Sequence, residues 1–252
     1  MKDPRLLTEV AEHPHPLLFA TVSGAHLYGF PSADSDFDLR GAHITPVALL
    51  TGLDRVPETI KSSHIRDGAD VDLVTHEVRK FFSLLLRNNG YVLEQLYSPL
   101  VVHTTLEHEE LRHIARGCIT SACVRHYLGF AVNQWQLFEK ESPPRLKPLL
   151  YVFRVLLSGI HMMRTGEVNA NLLECNAALG TGHLPWVDDL VAQKVGGGEQ
   201  KTLSDGDLAF YQRQYVRLRE WLTEEAERSA LPPAPTAKDA IADLLRRIRV
   251  KA

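Results

Sequence analysis

The sequence predicts an α+β fold, with a small strand-and-helix domain over residues 1–103 and an α-helical domain over 104–252. Three observations carry this. Up to about residue 100, short apolar or alternating runs of strand period interleave with amphipathic stretches. Beyond Pro99 almost every segment has helical period. Pro and Gly punctuate that second part without adding strand signals. With 252 residues, 44% of them hydrophobic, the chain can bury an ordinary core in one large or two modest domains.

Taken in order, "PLLFATVSG" (16–24) is an apolar run ending at Gly24, and "SDFDLRGAHI" (35–44) alternates polar and apolar residues before Pro46. Both read as strands, joined by the short connection "AHLYGFP". The turn pair Asp67-Gly68 leads into a third strand, "ADVDLVT" (69–75). The stretch that follows places Val78, Phe81, Phe82, Leu85 and Leu86 at helical spacing, and Asn88, Asn89 and Gly90 end it. A capping box at Thr104 and Glu107 opens a helical run that lasts to Pro143-Pro144, as one helix or as two separated at Gly117 or Gly129. A second strong helix carries the stripe Leu149, Val152, Phe153, Leu156, Leu157 and Ile160 and stops at Gly166. Then come a Gly196-Gly197-Gly198 loop, a helix from about Asp207 to Ser229, the hinge "LPPAP", and a last helix capped near Thr236.

Charge is nearly balanced, 28 basic against 31 acidic residues, which argues against coating nucleic acid or an anionic membrane by bulk electrostatics. Any polyanion site must be local. Runs such as "FFSLLL" fall short of bilayer length, and the charged start lacks the apolar core of a secretory signal, so a cytoplasmic protein without a membrane partner is expected. Cys118, Cys123 and Cys175 lack the spacing of a disulfide framework or a thiolate zinc site and read as packing residues. The apolar surface of the helical half leaves room for a homodimer.

The chemistry concentrates in "SGAHLYGFPSADSDFDLRG" (23–41), where Asp34, Asp36 and Asp38 stand two residues apart. On a strand, residues two apart share a face with Cα atoms roughly 6.6 Å apart, so Asp36 and Asp38 project together, while Asp34 belongs to the preceding turn. Two carboxylates at about 4 Å repel by about 4 kcal/mol at an effective dielectric near 20, a load that a divalent cation turns into attraction. Asp70 and Asp72 share a side of the third strand in the same way. An EF-hand loop starting at Asp34 fails, because Leu39 takes the position that needs glycine and Thr45 the one that needs Glu.

This first block, with "VDLVTHEVRKFFSLLLRNNGYVLEQLYSP" and "RLKPLLYVFRVLLSGIHMMRTGEV", resembles the DNA polymerase beta-like nucleotidyltransferase superfamily, in particular the bacterial nucleotidyltransferases associated with RNA ligases. The resemblance implies a mixed sheet with helices, a helical C-terminal domain, and transfer of an NMP from an NTP to a hydroxyl with Mg²⁺ or Mn²⁺. An RNA or tRNA end is the first acceptor; a protein or small molecule, or nucleotide binding without turnover, are the alternatives. Matched by position, Asp36 and Asp38 are the metal-binding pair and Asp72 the third carboxylate, with Asp70 as its alternate. Gly24-Ala25 stands where the superfamily has Gly-Ser. Phosphate binding then falls to backbone N–H groups there, with Ser23 or Ser35 supplying a hydroxyl. Lys147 and Arg154, two helical turns apart, are either cations for the leaving group or an exposed basic face. Arg40 contacts phosphate or pairs with a carboxylate, and Tyr28 stacks on a base or packs internally.

Overall fold

The structure, a computed structural model, describes residues 3–203 and 208–251. The start of the helix expected from Asp207 lies outside the described residues. Of the described residues, those within Met1–Gly24, Asp36–Ile119 and Pro235–Ala252 form one compact unit, and those within Ala25–Ser35 and Thr120–Ala234 form another. The units do not follow the continuous blocks 1–103 and 104–252. Residues 104–119 and the C-terminal helix join the strand-bearing unit, and the short connection 25–35 joins the helical one.

In the first unit, the helix α1 (Pro4–Ala11) precedes strand β1 (Leu17–Val22), and β2 (Phe37–His43), the short helix α3 (Val47–Leu50), β3 (Thr59–Arg66) and β4 (Ala69–Glu77) follow, with α2 (Gly24–Tyr28) beginning at this unit's edge. Helices α4 (Val78–Leu85) and α5 (Gly90–Tyr97), strand β5 (Val101–His103), α6 (Leu106–Ile114) and the C-terminal α12 (Lys238–Lys251) complete it. The sheet order is β3-β4-β2-β1-β5; only β2 and β4 run parallel, so the sheet is mixed. All six residues of β1 are buried, as expected for an apolar strand paired on both edges. Along β2 and β4 the side chains alternate. Phe37, Leu39, Val71 and Leu73 enter a core with Leu6, Val22, Leu100 and Val102, and the residues between them face the other way.

The turn Asp67-Gly68 has positive φ at both residues, the conformation that suits a two-residue hairpin, and it joins β4 to the strand β3 that the sequence reading left out. The residues of β3, "TIKSSHIR", are mostly polar on both faces, as an exposed edge strand tolerates, so the period of a half-buried strand is absent. The cap expected at Thr104 falls one residue later. Thr105 Oγ1 accepts from the His108 N–H at 3.1 Å and donates to the Leu18 carbonyl at 2.8 Å, while Thr104 Oγ1 bonds to His108 Nδ1. His108, fully buried, stacks on Phe19 at 4.4 Å between ring centroids. These contacts tie residues 104–119 to the sheet. Burial, the first influence on His108, together with neighbouring Arg112, pulls its pKa down to about 4 against the opposing charge of Glu109, so the ring is neutral at ordinary pH.

At the C-terminus, Thr236 donates its backbone N–H to the Gly117 carbonyl at 2.8 Å, so it acts as a clasp on Gly117 instead of the helix cap the sequence suggested. A Cβ on Gly117 would approach Thr236 Oγ1 at 2.8 Å, so the clasp needs glycine there, while Gly129 lies inside a helix with open space around it. From α12, Arg249 donates to the Thr45 carbonyl at 2.9 Å and to Glu77, whose other carboxylate oxygen accepts from the Arg79 N–H at 2.8 Å. Lys251 pairs with Glu107 and Arg247 with Glu110.

The second unit contains α7 (Val124–Lys140), α8 (Leu146–Thr165), α9 (Leu172–Ala177), α10 (Pro185–Gly197) and α11 (Leu208–Arg228). Its core is α8, with α7 and α11 packed against it, Leu149, Phe153, Leu156, Leu157 and Ile160 fully buried, and Trp135 stacked on Tyr215 at 4.4 Å. By length and composition α8 could cross a membrane, contrary to the expectation that no apolar run reaches that length; 78% of its apolar window is buried within the protein, as in a core helix. Gly166 ends it at φ +72°. The expected triple-glycine loop is shorter than the sequence suggested, because Gly196 and Gly197 continue α10 and only Gly198, at φ +76°, leaves the helix.

Glu77 is buried and its charge is balanced largely by Arg249. Arg249→Ala should therefore lower unfolding stability by about 2–3 kcal/mol, and Arg249→Ala combined with Glu77→Gln by less, as read by urea denaturation.

Candidate active site

The carboxylate face of the first unit follows from strand register. Asp38 of β2 lies directly opposite Asp72 of β4 in the parallel ladder, so both side chains leave the same face of the sheet from backbones about 4.8 Å apart. Asp36 immediately precedes β2 and is exposed. Asp70, the alternate third carboxylate, is two residues further from this level, exposed, and paired in the ladder with Ile65 of the edge strand. Asp72 is thus the register partner of Asp38.

Asp38 is closely held. Its backbone carbonyl accepts from the Ser23 N–H at 2.8 Å, and its Oδ1 receives Arg40 Nη2 at 2.5 Å. Arg40 also donates through Nη1 to the carbonyls of Leu39 (2.7 Å) and Asp72 (2.8 Å), and through Nε to the phenol oxygen Oη of Tyr91 on α5, 3.0 Å away. One guanidinium thus joins the two aspartate-bearing strands and offsets the Asp38 charge. Of the two readings of Arg40, pairing with a carboxylate is the contact present. Ser23 is buried, and its hydroxyl has no hydrogen-bond partner.

Gly24 makes this arrangement possible. At φ +60° it adopts a backbone conformation that L side chains avoid, and a Cβ there would lie 1.8 Å from Asp38 Oδ2. The glycine is therefore required twice, for its turn and for the space Asp38 fills.

Among the described residues no three His, Cys, Asp or Glu side chains converge closely enough to hold a metal ion. Two register-matched carboxylates with the exposed Asp36 offer only hard oxygen donors, which suits Mg²⁺ or Mn²⁺ and not a soft metal. The donor set fits by type, with Arg40 occupying one Asp38 oxygen.

The remaining site candidates lie in the second unit. Ala25 is buried, and its carbonyl accepts from the Phe30 N–H at 3.1 Å. Tyr28 is buried beneath Arg154, whose guanidinium carbon stands 4.0 Å from the ring centroid, and it meets Tyr151 edge-on. Arg154 itself is buried, so the pair forms an internal cation–π stack; Lys147, seven residues earlier, is half-exposed. Its ammonium reaches Glu199 Oε2 at 2.5 Å. Ser35 donates to Glu199 Oε1 at 2.7 Å, and Lys194, fully buried, bonds to Glu199 Oε1 (2.7 Å), Ser32 Oγ (2.8 Å) and Ser35 Oγ (3.1 Å). Asp34 completes the turn by accepting from Ser32 Oγ at 2.7 Å, and accepts the Glu199 N–H at 3.2 Å.

Lys194 and Glu199 escaped sequence reasoning. A lysine within a helix followed by "VGGGEQK" carries no pattern that separates a buried ion pair from a solvated one. Burial pushes the Glu199 carboxyl up, but hydrogen bonds from Lys147, Lys194 and Ser35 outweigh it and bring the pKa down to about 2.

The sequence model of the RNA repair pathway DNA polymerase beta family, RlaP, matches residues 3–247. An uncharacterized protein of Methanocaldococcus jannaschii is 33% identical over 154 residues, 61% of this chain and 63% of that protein. The uncharacterized protein YcgL of Bacillus subtilis is 27% identical over 154 residues, 60% of this chain and 58% of its own. The chain thus spans about three fifths of the length of these curated relatives. A nucleotidyltransferase-like protein from Exiguobacterium sibiricum, known from a crystal structure, aligns over 88% of this chain and 72% of its own at 11% identity and a TM-score of 0.32, a likeness too distant to locate residues.

Two outcomes follow from this geometry. Gly24→Ala should cost about 1–2 kcal/mol from the backbone alone, with a further loss from displacing Asp38, measured by chemical denaturation. Because the Glu199 pKa is depressed from 4.5 to about 2, its stabilisation is complete above about pH 5 and disappears as pH falls toward 2; it amounts to about 3 kcal/mol at most. Urea midpoints between pH 6 and pH 3 should therefore fall more steeply for the unaltered protein than for Glu199→Gln.

Proposed function

We propose, because the chain belongs to the RNA repair pathway DNA polymerase beta family, that it moves a nucleoside monophosphate from an NTP to a hydroxyl at an RNA or tRNA end and releases pyrophosphate. The observation that carries the reading is the parallel register that sets Asp38 beside Asp72 over Gly24. The family description, with its RNA repair pathway, favours RNA over a protein or small-molecule acceptor.

In this reading Asp36, Asp38 and Asp72 hold Mg²⁺ or Mn²⁺. Bound there, the cation neutralises phosphate charge and makes the acceptor hydroxyl more acidic. Asp72 takes the hydroxyl proton on a carboxylate oxygen as the acceptor oxygen bonds to the α-phosphorus. The bond from that phosphorus to the oxygen bridging to the β-phosphate then breaks, and pyrophosphate leaves with both electrons of the bond. Arg40 fixes the rotamer of Asp38 and links β2 to β4 through the Asp72 carbonyl, which keeps the two carboxylates at one level. Gly24 admits Asp38 to its position, and the Ser23 hydroxyl beside it is a donor still to be used. Arg154 acts through Tyr28, holding the ring from one side.

The test is incubation with each α-³²P-labelled NTP, Mg²⁺ or Mn²⁺, and RNA with free 3′ ends. Label should pass to RNA, and Asp38→Asn or Asp72→Asn should reduce the rate by at least about 100-fold at unchanged melting temperature. Nucleotide binding without any transfer would remove the catalytic claim, and label on protein in place of RNA would move the acceptor.

A further inference from the structure

The cluster around Glu199 in the second unit has the composition of an oxyanion receptor. Two ammonium groups, Lys194 and Lys147, and two hydroxyls, Ser32 and Ser35, converge on one carboxylate. Two of these groups address the single oxygen Oε1, at 2.7 Å from Lys194 and 2.7 Å from Ser35, while Ser32 Oγ, 3.5 Å from it, gives its proton to Asp34 Oδ1 at 2.7 Å. Lys194 has no exposed surface, and a buried ammonium is tolerated only beside a fixed anion. Such a donor set, made of charged N–H and O–H groups, matches a phosphoryl group as well as it matches a carboxylate.

The carboxylate is carried by a short, separately anchored turn. Gly198 leaves α10 in a conformation that favours glycine, and its N–H donates to the Lys194 carbonyl at 2.9 Å. Two residues past Glu199 the chain is pinned again, where the Lys201 carbonyl accepts from the Leu146 N–H at 2.8 Å and the Leu203 N–H donates to the Pro144 carbonyl at 2.8 Å. The Glu199 side chain can therefore leave the cluster by rotation within this turn while the donors stay on α10, on α8 and on the 32–35 turn.

We infer that Glu199 is an internal stand-in for a phosphate, occupying a site formed by Lys194, Lys147, Ser32 and Ser35 that takes free pyrophosphate when the carboxylate moves out. This rests on the nucleotidyl-transfer reading for its biological ligand. It adds to that reading two residues, Lys194 and Glu199, and a built-in competition, in which pyrophosphate must displace a carboxylate before it is bound and the carboxylate returns as it departs.

The test is calorimetric titration of the full-length protein with inorganic pyrophosphate in EDTA, without NTP or acceptor. Glu199→Gln keeps the shape and removes the competing charge, so it should bind pyrophosphate at least about fivefold more tightly than the unaltered protein. It should also melt at a lower temperature without pyrophosphate and gain more from its addition. Adding Lys194→Met to Glu199→Gln should abolish the gain in affinity. If Glu199→Gln does not fold, Glu199→Asp, which draws the charge back by one methylene, should give a smaller gain of at least about twofold. Affinity unchanged or weaker in the folded Glu199 variant, or a gain that survives Lys194→Met, overturns the inference. A gain in pyrophosphate affinity in a protein that transfers no label would leave this site standing and defeat the transfer reading; transfer without the gain would do the reverse.

Discussion

The parallel pairing of β2 with β4 is the constraint on which the rest of the site depends. A single register step would move Asp38 from Asp72 to a core residue and turn a carboxylate into the hydrophobic layer of Leu39, Val71 and Leu73. The apolar residues between the aspartates therefore set the carboxylate face, because their burial fixes which side of the sheet the carboxylates take. Parallel neighbours cannot be joined by a tight turn, and the chain inserts β3 between β2 and β4 as an antiparallel edge that returns through the Asp67-Gly68 hairpin. The cost of placing two negative charges side by side is offset by Arg40, which bonds to Asp38 and to the backbone of Asp72's strand at once.

Much of this was legible in the sequence. The Asp-x-Asp alternation, the apolar β1 and the spacing of Leu149 to Ile160 each carry a period that only one type of element satisfies, and β1, β2, β4 and α8 appear where that period placed them. Gly24 was also readable, since a glycine closing a buried strand marks a backbone turn, although its second duty of making room for Asp38 appears only in three dimensions. What stayed hidden lacks a local signature. The strand β3 is polar on both faces, Thr236 serves Gly117 across more than a hundred residues, and the buried state of Lys194 depends on Ser32, Ser35 and Glu199 arriving from distant segments.

Charge in the second unit follows a different rule from charge in the first. On the sheet, Asp38 is paired with Arg40 and stands opposite a second carboxylate, Asp72. Around Glu199 the balance is reversed, with two lysines on one carboxylate and a pKa drawn to about 2 despite burial.

The central claim is that Asp38 and Asp72 act together on one cation. Its most direct test is Mn²⁺ binding, followed by electron paramagnetic resonance in the presence of a non-hydrolysable NTP. Asp38→Asn and Asp72→Asn should each weaken Mn²⁺ binding by at least about tenfold, and the double variant should lose little more than either alone, as expected when two ligands share one ion. Mn²⁺ affinity unchanged in both single variants, or losses that simply add, would contradict the claim.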